Sequence, residues 1–262
     1  SILILEREKN LYALPRAVHF DDEIMRVFQT IGITKKFLKN TIINKGTKFV
    51  NSKGKVILDW PRPRKFTENG WYPSYRFNQP DLEKQLRKKL KEYKRVKIKQ
   101  NADVRRVQNT NNGFAKILYK NIVNKKTHEV YAKYVVGCDG ANSTTRKQIG
   151  TKMDNLGFTQ KWAVVDLILK NKNKKLPDRT IQYSNPKQPA TYCRNVGRRR
   201  RWEFAIKNNL NENKILSETY IWNFLKPWLK KSEANLERKT IYKFESAISK
   251  KWRKGRIFLA GD

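Results

Sequence analysis

The chain has 262 residues, enough for one large domain or two modest ones around a real core. Its 59 Lys and Arg against 23 Asp and Glu leave a formal net charge of +36, and 38% of it is hydrophobic. Seven Trp, eleven Tyr and twelve Phe exclude a disordered chain, and no apolar run nears the roughly 20 residues of a membrane span.

The opening SILILERE reads as a buried strand of the parallel type that ends at Glu6. Pro15 marks a loop, and Asp21 and Asp22 supply an N-cap and a negative first turn to DDEIMRVFQTIGI. Ile24, Val27, Phe28 and Ile31 fall at helical spacing, which predicts them as the buried face, with Gly32 as the stop. Residues 47–60 alternate around Ser52–Lys53–Gly54 as a hairpin does, and a Pro- and aromatic-rich ordered loop follows. Pro80 opens a second helix with Leu82, Leu86 and Leu90 on one face. Short strands come next, two or three of them forming an antiparallel meander before YVVGCDG returns to the main sheet.

Beyond Gly157 the texture changes. KWAVVDLILK, RTIQYSN, ATYCRN and RWEFAIK read as antiparallel strands, with one helix over ILSETYIWNFLKPWLKK and a strand over RKTIYKFESAIS. The expected organisation is a first domain over 1–155, with 41–77 open to the second, then a sheet domain over 156–249 and a return strand over 250–262. The fold class is α/β, α+β overall. The basic residues are spread from Lys9 to Lys254, which reads as a Lys-rich surface rather than a nucleic-acid module. The densest run, GRRRRWEF at Gly197–Phe204, reads as a hairpin turn with exposed arginines. Cys138 and Cys193 fit no zinc or redox spacing, no leader segment is visible at the start of the sequence, and a reducing cytoplasmic setting is the expectation.

Three acids stand at the ends of apolar runs: Glu6, Asp139 before Gly140, and Asp262 after Gly261. Ligands of open α/β sheets sit beyond the carboxyl ends of the strands, where a carboxylate accepts hydrogen bonds from sugar hydroxyls. Glycine beside it permits close backbone approach. Each acid alone reads first as a turn or a solvated strand end; three together point to one site.

With VVGCDGANSTTR and RKGRIFLAGD, the sequence resembles the FAD-dependent aromatic hydroxylases, the single-component flavoprotein monooxygenases. PRAVHFDDEIMRVFQTIGI, FNQPDLEKQL, WAVVDL and RRWEF follow in the family's order, nearest to its 3-(3-hydroxyphenyl)propionate hydroxylase branch. The resemblance implies an incomplete Rossmann-like FAD-binding parallel sheet with a mostly antiparallel substrate-domain sheet. It implies cofactor-binding roles for Glu6, Arg7, Arg16, Gln79, Val104, Asp139, Gly140, Arg146, Gly261 and Asp262. Glu6 would hold the adenosine ribose and Val104 approach the adenine. Arg16, Gln79, Asp139 and Arg146 would serve the pyrophosphate and ribityl region, and Asp262 a ribityl hydroxyl.

The implied activity is hydroxylation of a small phenolic ring with O2 and NADH or NADPH, the FAD carrying the chemistry and no protein nucleophile taking part. Tyr183, Tyr192 and Trp202 are candidate aromatic contacts to substrate, with core packing the stronger reading. Arg194 or Arg201 could pair with a substrate carboxylate, with an exposed turn position the stronger reading. The family's Gly-x-Gly-x-x-Gly turn and its Gly-rich segment after the Gly-Asp motif have no counterpart here. The expectation is therefore an interior part of such an enzyme that binds FAD weakly or not at all by itself. The alternatives are a hydroxylase of the same fold acting on a polyketide or quinone-type ring, and a non-catalytic basic binding protein.

Overall fold

The computed structural model describes residues 1–207 and 211–261. They divide into two compact units: Ser1–Leu11, Leu90–Phe158 and the stretch from Glu245 in one, Tyr12–Lys89 and Thr159–Phe244 in the other. In this division residues 12–89 group with the second unit, whose sheet is extended by strands Gly46–Asn51 and Val56–Pro61 of the stretch 41–77, expected to be open to it.

In the first unit, strand Ile2–Leu5 runs parallel to Val96–Lys99, as expected of its apolar run. It is not buried: Ile2 and Leu3 are 60% and 45% exposed, because this sheet has only two strands among the described residues. The meander is formed by Ala102–Asn109, Ala115–Asn121 and Thr127–Ala132. Its central strand alternates, turning Ala115, Ile117 and Tyr119 inward. Ala115 and Ile117 join Val107, Ile149 and Ile257 in one apolar cluster. Strand Val135–Gly137 pairs in parallel with Ile257–Leu259.

In the second unit, a seven-stranded sheet has the order Ala234–Ser249, Met153–Leu169, Arg199–Ala205, Ala190–Arg194, Thr180–Ser184, Gly46–Asn51, Val56–Pro61. From Met153–Leu169 to Val56–Pro61 its pairings are antiparallel except for Thr180–Ser184 beside Gly46–Asn51. One row across it is Ile181, Tyr192, Trp202 and Val165, all buried. This apolar face packs on helix Glu218–Leu225 through Ile221 and Leu225. Burying a ring of that size removes roughly 150–250 Å² from water, worth about 4–6 kcal/mol. Tyr192 keeps its hydroxyl satisfied by donating to the Pro177 carbonyl at 2.9 Å, and burial pushes its pKa up to about 12. Tyr192 and Trp202 are thus core residues, while half-buried Tyr183 lies against Trp228 with ring centroids 5.1 Å apart.

The helix expected over ILSETYIWNFLKPWLKK is shorter, Glu218–Leu225, and a first short helix, Glu212–Ile215, ends where that run begins. Ser217 accepts from the Tyr220 N–H and starts the second, and Pro227 follows its end. Helix Asp22–Thr30 is capped by Asp21 as predicted, but its buried face is Met25 and Phe28. Ile24 and Val27, expected inside, are 42% and 53% exposed. The helix turns toward the aromatic cluster of Phe20, Phe37, Tyr75 and Phe77, which selects the Met25–Phe28 side of an otherwise ambiguous pattern. Helix Gln79–Leu90 packs Leu82 and Leu86 against the same cluster. No helix among the described residues is long and apolar enough to cross a membrane.

Candidate functional site

Two of the three acid-bearing strand ends meet in the first unit. Strands Val135–Gly137 and Ile257–Leu259 lie side by side in parallel, Gly137 opposite Leu259, and the Ala260 N–H donates to the Gly137 carbonyl at 3.0 Å. Both chains therefore leave the sheet at the same edge, one into Asp139–Gly140 and the other into Gly261. Gly140 and Gly261 have φ of +75° and +78° with open space where a Cβ would stand. Gly137 is different: a Cβ there would lie 2.6 Å from the Thr145 side chain, so the strand and the following helix touch. Asp262 lies outside the described residues.

Asp139 is spent on building this edge. Its carboxylate accepts from the Ser143 hydroxyl, from the Thr145 N–H at 2.9 Å and from the Thr145 hydroxyl at 3.1 Å. Ser143 in turn caps helix Thr144–Ile149 by accepting from the Arg146 N–H at 2.9 Å. Burial works to raise the Asp139 pKa, and the bonds from Ser143 and Thr145 outweigh it, holding the group below the usual carboxylate range. Its chemistry is to shape the turn.

Beside this edge is a cleft of about 300 Å³, lined among others by Ser143, Arg146, Met153, Ile248, Trp252 and Gly261. It combines a half-buried guanidinium with apolar walls and small residues, the Ser143 hydroxyl proton being committed to Asp139. A guanidinium so placed fits a phosphate-bearing group with an apolar part, at a volume that holds only a portion of a dinucleotide. Glu6 stands at the end of its strand, where one carboxylate oxygen accepts from the Glu8 N–H at 2.9 Å. Arg7 is exposed and donates to Glu8 at 3.0 Å. Val104 sits half-buried in the meander opposite Tyr119.

Arg16 and Gln79 belong to the second unit, where they meet. The Gln79 Oε1 accepts from the backbone N–H of Arg16 at 3.1 Å and of Ala17 at 2.9 Å, and its amide donates to Glu83 at 3.1 Å. Gln79 therefore holds the loop, and Arg16 shows its guanidinium over the Tyr12 ring, 4.8 Å from the centroid.

The arginine run corrects an expectation. Arg200 and Arg201 are buried, not exposed in a turn. Arg199–Ala205 is a strand, so Trp202 and Phe204 face the apolar side while Arg201 and Glu203 face the other. Arg201 binds Asp166, its cross-strand partner, through Nε at 2.7 Å and Nη2 at 3.0 Å. Arg194 pairs with Asp178, so each proposed substrate arginine already has a carboxylate. Glu203 lies between Thr191 and Val164, and Gln182 follows Thr191, whose hydroxyl donates to it at 2.7 Å. Burial pushes the Glu203 carboxyl up, and Arg201 only partly offsets this.

Asp166, Glu203, Arg76 and Arg238 are charged residues that the sequence reading passed over, Arg76 coming from strand Ser74–Phe77 of a separate three-stranded sheet. Arg76 is buried and donates to Asn44 at 3.3 Å and to Thr180. The available signal was a charge inside the apolar run WAVVDLILK, matched by the alternation in RRWEF.

A family model described as an FAD binding domain matches residues 1–262. The chain is 34% identical over its whole length to a probable NADH-specific resorcinol 4-hydroxylase of Rhodococcus jostii, covering 49% of that protein. It is 28% identical to a 3-(3-hydroxy-phenyl)propionate/3-hydroxycinnamic acid hydroxylase of Mycolicibacterium smegmatis, covering 99% of this chain and 45% of that one. The chain thus spans about half the length of the curated relatives it matches. Among solved structures, p-nitrophenol 4-monooxygenase from Pseudomonas putida superposes with a TM-score of 0.85 at 18% identity, over 99% of this chain and 66% of that one. Aklavinone-11 hydroxylase with FAD and aklavinone gives 0.80 at 15% identity, over 99% and 52%. These two show the fold.

Proposed function

The chain belongs to the FAD-binding domain family, and from that premise we propose that it is part of an FAD-dependent monooxygenase hydroxylating a phenolic ring with NAD(P)H and O2. The observation that carries this reading is the meeting of the Asp139–Gly140 and Gly261 turns at one sheet edge, beside a cleft that holds Arg146. The first unit takes FAD. Arg146 holds a phosphate by charge-assisted hydrogen bonds, Glu6 accepts from sugar hydroxyls, and Gly140 and Gly261 let the backbone come close. Asp139 keeps the turn in shape, and in the second unit, taken by itself, Arg16 is a cation suited to a phosphate. Arg7 and Val104 border the adenosine end. When bound and reduced by a nicotinamide cofactor, the flavin supplies the electrons that place one atom of O2 on the ring.

The seven-stranded sheet supplies the substrate wall through its polar face, on which Gln182, Thr191 and Glu203 form one row. Such a row offers donors and acceptors to a phenol hydroxyl, and the names of the relatives favour a small phenol with NADH as reductant. The free thiols Cys138 and Cys193 suit a reducing, cytoplasmic setting.

The test is expression of the complete coding sequence. A yellow protein with flavin absorbance, consuming NADH in the presence of resorcinol or 3-hydroxyphenylpropionate and placing labelled oxygen from O2 in the product, is expected. Arg146→Met should weaken FAD binding about ten- to a hundredfold, the range of one charged hydrogen bond. A colourless protein, or NADH consumption without oxygen in the product for any phenol, would sink the proposal.

A further inference from the structure

Four successive backbone groups of the loop at Pro15–Ala17 are held by side chains, and none of them by other backbone among the described residues. The Pro15 carbonyl accepts from Arg201 Nη2 at 2.9 Å and also from Arg238 Nη1. The Arg16 carbonyl accepts from Arg201 Nη1 at 2.7 Å. The Arg16 and Ala17 N–H groups donate to Gln79. The holders come from far along the chain, 62 to 223 residues away. Each is itself fixed: Arg201 by the two bonds to Asp166, and Arg238 by donating to the Tyr242 hydroxyl and lying 5.1 Å from that ring's centroid. Arg201, Asp166 and Arg238 are all buried.

The side chain these bonds frame is left free. Arg16 is exposed and forms no ion pair with a carboxylate among the described residues, and its guanidinium rests on Tyr12. Arg238 approaches the same Tyr12 ring, 5.8 Å from the centroid. A loop whose only task was to cross the surface would satisfy its backbone with water, at no cost in buried charge. Here two buried guanidinium groups hold the backbone on either side of one exposed cation.

We propose that Arg201, oriented by Asp166, and Arg238 are positioning residues that clamp the Pro15–Ala17 backbone so that Arg16 is presented to a phosphate-bearing ligand, with FAD as the probe. The inference rests on the cofactor reading of Arg16 above and adds how its geometry is set. Freezing the loop before binding removes an ordering cost that the ligand would otherwise meet. The clamp therefore acts through Arg16 alone, and its loss should change nothing once Arg16 is gone.

The test is a double-mutant cycle in the full-length protein, reading the FAD dissociation constant of the apoprotein and the visible spectrum of bound flavin. Arg16→Ala should weaken binding about ten- to a hundredfold. Arg238→Met should weaken it about tenfold and shift the flavin spectrum, with Arg238→Lys, which keeps one donor, falling between. The double variant should match Arg16→Ala. Should Arg238→Met fail to melt cooperatively, Arg238→Lys takes its place in the cycle. If Arg16→Ala weakens FAD binding and the Arg238 effect adds to it in full, the clamp is refuted while the cofactor reading of Arg16 stands. If Arg16→Ala leaves FAD affinity unchanged, the cofactor reading of Arg16 fails and the clamp fails with it.

Discussion

Replacing Asp139 by Asn separates two roles for a carboxylate at a strand end. The native group accepts three hydrogen bonds, from the Ser143 hydroxyl and from the backbone and side chain of Thr145. Asn keeps one acceptor oxygen and turns an amide toward a donor, so at least one bond is lost and the rest lose their charge. A hydrogen bond to a charged group contributes about 1.5–3 kcal/mol and a neutral one about 1. Partial exposure of the site roughly halves the difference, leaving a destabilisation of about 1–2 kcal/mol, or about 2–8 °C in Tm for a chain of this size. The folded pKa lies below the unfolded value, so this stabilisation is present above the unfolded pKa and is lost as pH falls through the folded one. Denaturant unfolding of wild type and Asp139→Asn across the acid range should show two curves that converge there. Equal stability at neutral pH, with FAD affinity alone reduced, would refute the turn-building role and return Asp139 to direct cofactor contact.

Three further outcomes follow from the same geometry. Asp166→Ala removes the bidentate partner of the buried Arg201 and leaves it only the looser pair with Glu203 at 3.6 Å, so it should cost about 2–4 kcal/mol by urea unfolding, whereas Asp166→Leu with Arg201→Met should recover most of it; no recovery would show that the pair is needed for folding itself. Gly137→Ala, which places a Cβ 2.6 Å from Thr145, should destabilise by about 1–3 kcal/mol, while Gly140→Ala, with open space around it, should cost only about 1 kcal/mol for its positive φ. Glu203 has a folded pKa raised above its unfolded value, so its burial lowers stability as pH rises through that interval, and Glu203→Gln should flatten the fall in a pH series of unfolding curves.

The parts of the fold that were legible in the sequence are those set by local pattern. The Asp21 cap, the turn at Gly54, the helix begun near Pro80 and the strands of the second half depend on residues close in the chain. The meeting of the Asp139 and Gly261 turns was legible too, because both follow apolar runs of the parallel type. Where two faces of one element were both apolar, pattern could not choose. Met25 and Phe28 won over Ile24 and Val27 because an aromatic cluster assembled from Phe20, Phe37 and Phe77 lies on their side, and that cluster is a tertiary fact. The side to which 41–77 belongs stayed open for the same reason, since pairing of Thr180–Ser184 with Gly46–Asn51 joins strands more than a hundred residues apart.

The arginine run shows the limit most clearly. Read along the chain, RRRRW is a cluster of like charges, and solvent is the cheapest place for it. Across the sheet, Arg201 stands opposite Asp166, thirty-five residues away, and only the register joins them. Such a pair earns no net stability over a well-packed apolar pair of the same volume, because desolvation of both ions offsets their attraction. Folding alone therefore does not account for an acid placed inside the run WAVVDLIL, or for a guanidinium buried against it. What the pair does provide is direction: two fixed N–H vectors aimed at the carbonyls of Pro15 and Arg16. An apolar pair would keep the sheet and lose that aim, which is what the proposed presentation of Arg16 requires of the buried charge.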